Sequence, residues 1–459
     1  MKSGLDFCFL KIMDISKNRF SNRYLVALLV PLVISTLLNT AVGIIDTMMV
    51  SSLSSACVSG VSLVDQINHL ILNIFLALST GGAVVTSQLI GAKKDADAQK
   101  SAKMLIFSAL AFSLVITAVC AIFGSVILDL CYPKLDLETR NASSVYFLVT
   151  AFTYPFMAVD YCCGALFRSF GKSSYCMITA FVCNIVNILG NALTIYVFEW
   201  GVFGAAISTL VSRIVSMAIM IVLISSSKSP VRVKFIEKFI PDFKMIGRIL
   251  GIGIPAGLEN SFFQLGRLLV VTIISNYGLV QTTANAVANH LDTFGCIFGM
   301  SLNLGVITII GQCVGARDFE GVKYYAKKLL LISYTIGTLF YLSTLVFINP
   351  VLSWFSLDEP TVELTRTLVF IHNGIGLFLW PLAFTVPNFL RAANDVRFTM
   401  IVAIVSMVVC RLGLSYFFHY TFSMGALGVW IGMVVDWICR LSFFTTRFYS
   451  GAWKKHCKN

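Results

Sequence analysis

Long apolar runs alternate with short polar connections along the whole chain. A helix needs about 20 apolar residues to cross a bilayer. Twelve stretches qualify: 25–50, 61–90, 104–131, 145–167, 173–197, 202–225, 247–276, 282–312, 329–355, 364–389, 398–420 and 425–446. The spacing predicts an all-α membrane protein with six spans in each half. Two connections read Gly91-Ala92-Lys93-Lys94 and Gly315-Ala316-Arg317-Asp318. Two more read Arg168-Ser169-Phe170-Gly171-Lys172 and Arg391-Ala392-Ala393-Asn394-Asp395. Such turns serve either as a gate latch or as topology anchors that stop a helix with glycine and hold cations in water, and the anchor is the favoured reading.

The two halves are copies. Pro31 and Pro255 stand 224 residues apart (255 − 31), as do Gln88 and Gln312, Gly91 and Gly315, and Gly201 and Gly425. A fixed offset over half a chain marks an internal duplication. In a membrane protein it marks a secondary transporter, with the site where the copies meet. Six spans return the chain to its starting side, so the repeat is parallel. The expected organisation is a cytoplasmic amphipathic segment at 1–23, a first lobe at 24–225, a cytoplasmic linker at 226–247, a second lobe at 248–446 and a basic tail at 447–459.

Composition supports the membrane assignment. Charged residues are 12% of the chain, against about 25% in soluble domains. The net charge of +12 looks at first like a nucleic-acid signal. However, 27 of the 34 Lys and Arg lie on connections of one side, and no basic stripe interleaves with aromatics. The charge therefore sets topology. Both termini are expected in the cytoplasm of a cell with this protein in its inner or plasma membrane. The thirteen cysteines sit mostly singly in apolar runs and form no CxxC, so no disulfide framework is indicated. No Walker A, HExxH or GxSxG motif occurs, so the chain is read as no enzyme, with no cofactor.

Several motifs resemble the multidrug and toxic compound extrusion (MATE) family, in its bacterial type, over roughly residues 24–448. The first span runs from Pro31 to Gly43-Ile44-Ile45-Asp46. The second ends Ser87-Gln88-Leu89-Ile90-Gly91-Ala92 and the eighth Gly311-Gln312-Cys313-Val314-Gly315-Ala316. Asn184, Asn187 and Asn191 precede Gly201-Val202-Phe203-Gly204. The resemblance implies a V-shaped pair of six-helix bundles. It also implies an antiporter that expels organic, often cationic, compounds in exchange for H⁺ or Na⁺.

Carboxylates inside a membrane helix are functional candidates by default. Asp46 lies 15 residues past Pro31, about 22 Å along the axis at roughly 1.5 Å per residue. The resemblance implies that it serves a proton or Na⁺ site, and Pro31 and Pro255 would act as hinges. Position 270, its repeat partner, is Val270, so the acid is not duplicated. Asn184, Asn187 and Asn191 share a helix face and either join that ion site or bond neighbouring helices. Some family members carry an aspartate where Asn191 stands, which puts a two-aspartate proton site in doubt. Asp65 reads as a solvated acid near a helix end. Asp160 either lines a cavity or pairs with Arg213.

In the second lobe, Glu259 is an ion-site acid or the partner of Arg267. Family members with a cation site here place a glutamate nearer Phe263 or Gln264, and add an aspartate in the tenth span. That span here has His372 and Asn373 instead. His372 can titrate near neutral pH or simply satisfy a hydrogen bond. His290 and Asp292 in the eighth span carry the same two readings. Expected partners are small organic cations and the bilayer, with the protein a monomer. The alternatives are a lipid-linked oligosaccharide flippase, on the strength of Arg213, Arg267 and Arg411, and a receptor or structural membrane protein.

Overall fold

The computed structural model describes residues 19–133, 135–226, 233, 240–355 and 357–457. Residues 1–18 of the expected N-terminal segment and most of the linker at 226–247 lie outside the described residues.

Sixteen α-helices make up nearly all of the described chain. In order they are α1 (Asn22–Ser51), α2 (Ser55–Gly91), α3 (Asp95–Cys131), α4 (Leu137–Ala151), α5 (Tyr154–Ser169), α6 (Ser173–Asn191), α7 (Gly201–Ser225) and α8 (Phe243–Ser275). There follow α9 (Leu279–Gly315), α10 (Phe319–Val346), the short α11 (Ile348–Leu352), α12 (Glu359–Trp380), α13 (Val386–Ala392), α14 (Val396–Ser406), α15 (Leu414–Phe422) and α16 (Gly425–Tyr449). Among the described residues, ten helical runs are long and apolar enough to cross a membrane. The pair α4–α5, bent by 49°, makes an eleventh. α8 completes the twelve expected spans. It is 33 residues long, but Lys244, Arg248, Glu259 and Arg267 lower its hydropathy.

The helix starts follow local chemistry. Ser21, Ser54, Asp136, Asp242 and Asp318 each accept a bond from a backbone N–H of the first turn, satisfying donors that the helix leaves open. Asp242 also pairs with Lys100 at 2.6 Å, which holds its carboxyl below the usual carboxylate range.

Three runs contain π-helical turns, at Ala192–Val197, Pro381–Thr385 and Met407–Gly413. Such turns break the i→i−4 ladder and gather at functional sites.

Pro31 lies inside α1 and cannot donate to the Ala27 carbonyl one turn back. The Ser173 hydroxyl at the start of α6 takes over, donating to Ala27 O (3.2 Å) and Leu28 O (2.6 Å). The backbone one turn before the proline is thereby held by a neighbouring span. Ser173→Ala should lower stability by about 1–3 kcal/mol, the cost of a buried unpaired carbonyl, read as a fall in the thermal unfolding midpoint in detergent.

The lobes are joined at the end that carries the basic connections. Gly91 and Gly315 terminate α2 and α9 there. A Cβ on Gly91 would overlap the Gln312 carbonyl, and one on Gly315 the Gln88 carbonyl. Side chains then cross in a matched exchange. Gln88 Nε2 donates to Ala392 O at 2.8 Å, and Gln312 Nε2 to Ser169 O at 2.8 Å. Gln88 Oε1 accepts from Arg248 at 2.9 Å. The duplicated turns therefore stop their helices, as the anchor reading expects, and also meet in an inter-lobe seam across the pseudo-symmetry axis. Further inward the lobes also touch through Ser301 and Thr36 (2.9 Å). The two bundles form a V that is closed at the basic end.

Candidate functional site

Helices α1, α2, α4, α5, α6 and α7 surround a cavity of about 450 Å³ in the first lobe, which Leu304 of α9 also lines. Pockets of 300–1,000 Å³ are the usual size for small-molecule sites. Asp46 lines it from α1, Asp65 from α2, Asp160 from α5, Asn184 and Asn191 from α6, and Arg213 from α7. The polar groups converge because each helix turns its few hydrophilic residues away from lipid.

Asp46 sits five residues from the end of α1. Asn191 Nδ2 donates to Asp46 Oδ1 at 2.7 Å. Asn187, with its amide nitrogen turned to the carboxylate, donates to Oδ1 at 2.6 Å and Oδ2 at 3.1 Å. The other end of that amide then faces the Thr209 hydroxyl, 3.4 Å away. The helical spacing of Asn187 and Asn191 is thus what lets both reach one carboxylate. The π-turn begins directly after Asn191 and fixes the end of α6 beside Asp46.

Asp65 differs from the expected solvated acid. It is half-buried in the cavity wall, within a chain of Asn68 to Asp65 (3.4 Å) and Tyr154 to Asn68 (2.7 Å). It sits ten residues into α2 because that helix starts at Ser55, earlier than hydropathy alone predicts. Asp160 accepts from Ser216 at 2.9 Å and lines the cavity. Arg213 is the cation that serves both Asp160 and Asp46 electrostatically. The lining thus holds three carboxylates against two guanidiniums, Arg213 and Arg168, an excess of negative charge. Tyr146, Tyr154 and Tyr161 complete the wall. Sequence reasoning passed over these tyrosines; the spacing of Asp65, Asn68 and His69 on one face was the available signal.

The second-lobe candidates do not line this cavity. Glu259 pairs with Arg391 at 2.5 Å, and the expected partner Arg267 is replaced. The cause is topology: α13 brings Arg391 against α8, and Arg391 is itself held by Asn388 at 2.8 Å. Glu259 is buried to 9% side-chain exposure. Breaking a buried pair leaves an uncompensated charge, so Glu259→Gln should cost roughly 3–5 kcal/mol, seen as loss of folded protein on size exclusion or a lowered unfolding midpoint. Gln264 is half-buried on α8 and His290 is exposed on α9. Asp292 meets His372 at 2.9 Å. Asp436 meets Arg440 at 2.9 Å within α16. Among the described residues, no group of three or more His, Cys, Asp or Glu side chains is arranged to hold a metal ion.

The MatE family model matches the chain twice, over residues 31–193 and 255–417. The chain is 26% identical to an uncharacterized transporter, YisQ, of Bacillus subtilis (strain 168), over 92% of this chain and 93% of the relative. It is 26% identical to a probable multidrug resistance protein, NorM, of Thermotoga maritima, over 94% and 93%. Among solved structures, a MATE protein in its bent conformation superposes with a TM-score of 0.87 at 19% identity, over 95% of this chain and 97% of that one. The two family matches begin at Pro31 and Pro255, on the copies that the seam holds together, and cover more than half the chain: this protein belongs to the MatE family, the multidrug and toxic compound extrusion transporters.

Proposed function

We propose that the protein is a proton-coupled antiporter that exports organic cations, alternating access by rocking its lobes about the seam. Asp46 carries the reading. Two amide nitrogens point at its carboxylate, at the head of a cavity with an excess of acids. A proton on Asp46 removes one negative charge from the lining, which weakens attraction for a cation; release of the proton restores it. Ion and substrate thus compete for one electrostatic balance. The relative named as a probable multidrug resistance protein adds support for small-molecule export.

Na⁺ is the second coupling reading. It has one observation in its favour: Asn191 Oδ1 is buried with no hydrogen-bond partner, and an amide turn would present oxygen beside Asp46. The flippase alternative would call for a cationic cavity, and the lining is acidic. The positive-side rule supports a plasma-membrane orientation with both termini and the seam in the cytoplasm.

The test is dye export from proteoliposomes with each gradient imposed alone. The expected result is flux with a pH gradient at equal Na⁺. Flux that follows Na⁺ at fixed pH would replace the proton reading.

A further inference from the structure

A groove of about 420 Å³ opens on the outside of the second lobe, where the start of α14 meets the end of α16. Phe398, Ser442, Phe443, Thr446, Arg447 and Ser450 line it, and none of them lines the first-lobe cavity. Ser442, Thr446 and Ser450 recur every four residues, so their hydroxyls form a row on one helix face. The row covers eight residues (450 − 442), about 12 Å at roughly 1.5 Å per residue. It runs from the basic end of α16 into the depth of the span. Ser442 and Ser450 donate back to their own helix, to Ile438 O at 2.7 Å and Arg447 O at 3.0 Å. The Thr446 hydroxyl is exposed and has no partner among the described residues.

Arg447 stands at the basic end of the row. Its Nε donates to Asp395 Oδ2 at 2.8 Å, and Nη2 lies 3.4 Å from both Asp395 Oδ1 and His456 Nε2. Nη1 has no partner among the described residues. The guanidinium lies over the Phe398 ring, 4.7 Å from its centre. The Arg447 side chain is 27% exposed and that of Asp395 2%. The acid therefore backs the cation from inside the protein, and the groove meets the cation. Arg397 and Lys455 are exposed on the two segments that frame the groove, while Lys454 turns away over Phe319. Arg447, Arg397 and Lys455 make three cations against the one carboxylate of Asp395. Phe398 and Phe443 supply apolar walls, with Phe443 54% exposed.

Cations at the membrane surface, unpartnered donors beside them and an apolar wall leading inward match one lipid, headgroup above acyl chain. Basic pockets between membrane helices bind acidic headgroups, and a guanidinium offers planar donors that suit a phosphate. We propose that this groove binds one anionic phospholipid. Its phosphate accepts from Arg447 Nη1 and the Thr446 hydroxyl, and one acyl chain lies along Phe398 and Phe443. Asp395 sets the affinity, because it competes with the phosphate for the same guanidinium. The site does not depend on which ion or substrate the protein moves.

Native mass spectrometry tests it. The full-length protein, freed of lipid in detergent, is titrated with phosphatidylglycerol or phosphatidylcholine and the adducts are counted. The expected result is one phosphatidylglycerol adduct that forms at a lipid concentration at least about fivefold lower than any phosphatidylcholine adduct, since one cation near anionic lipid is worth about that factor. Thr446→Leu fills the groove, leaves every charge in place and should abolish the preference. Asp395→Asn frees Arg447 and should strengthen phosphatidylglycerol binding by about fivefold; an ion pair with a structural role alone would leave binding unchanged or weaker. Lys94→Gln, on the basic turn of the first lobe, should change nothing. Equal adducts of the two lipids, or a preference that Thr446→Leu keeps, overturns the site. So does an equal loss in Lys94→Gln, which marks a diffuse basic surface. Displacement of the lipid by inorganic phosphate at the same concentration would assign the donors to free phosphate and overturn the lipid. If Asp395→Asn does not fold, the Thr446→Leu and Lys94→Gln titrations decide alone.

Discussion

Asp46→Asn is expected to uncouple the transporter while leaving it folded. The substitution keeps the shape of the side chain, and Asn191 (2.7 Å) and Asn187 (2.6 Å) still have an oxygen to which they can donate. What changes is charge. The lining falls from three carboxylates to two, Asp65 and Asp160, against Arg213 and Arg168. A proton can no longer alter the balance at this position. In the wild type, affinity for an organic cation should rise with pH, since the deprotonated cavity attracts it. Coupling between two ligands is typically 5- to 150-fold in affinity, and Asp46→Asn should lose a factor of about that size. The measurement is dye binding at two pH values, with export from proteoliposomes alongside. A flat pH dependence and background export are the expected pair of results. Retained pH dependence in Asp46→Asn would move the first-lobe coupling role to Asp65 or Asp160. Asp160→Asn is expected to weaken binding at every pH without removing the pH dependence, because Asp160 is held by Ser216 at 2.9 Å, on a different wall from Asp46.

Hydropathy and the 224-residue offset made the helices and the duplication legible, since both are properties of sequence distance. Local spacing also reached Asn187 and Asn191, because residues one turn apart must share a face. The pairings beyond that depend on which helices become neighbours. Glu259 finds Arg391, 132 residues away, where sequence reasoning looked eight residues ahead to Arg267. Gln88 finds Ala392, 304 residues away. The role of Arg213 as the shared counterion of two acids follows from α7 closing the cavity against α1 and α5, which no periodicity records. The seam was closer to legible. The duplicated Gln-x-x-Gly-Ala ends and the duplicated turns at 168–172 and 391–395 are the four pieces that meet. Reading each copy as self-contained hid that each glutamine serves the opposite lobe.

The seam carries the second large effect. Gly91→Ala together with Gly315→Ala should drive the lobes apart at the basic end. Each new Cβ overlaps a backbone carbonyl, of Gln312 and of Gln88 respectively. A carbonyl within a helix cannot rotate away as a side-chain tip can, so the two helix ends must separate. Overpacking costs about 1–3 kcal/mol per site, so the pair costs about 2–6 kcal/mol, against the roughly 5.5 kcal/mol that turns a 99:1 equilibrium into 1:99. Separation also breaks the exchange of Gln88 with Ala392 and Gln312 with Ser169, both at 2.8 Å. The state closed at the basic end should therefore lose population, and export should fall for want of alternation. Spin labels at Ser55 and Leu279, the ends of α2 and α9 farthest from the seam, report the change. Their separation should shorten as the open end of the V closes. A pure topology anchor behaves differently: the same substitutions would lower the unfolding midpoint and leave the label distance unchanged. The single variants sharpen the comparison. Because the contacts are reciprocal across the pseudo-symmetry axis, either glycine alone should shift the equilibrium in the same direction by about half as much in free energy. Opposite signs would show that the two contacts belong to different states of the protein.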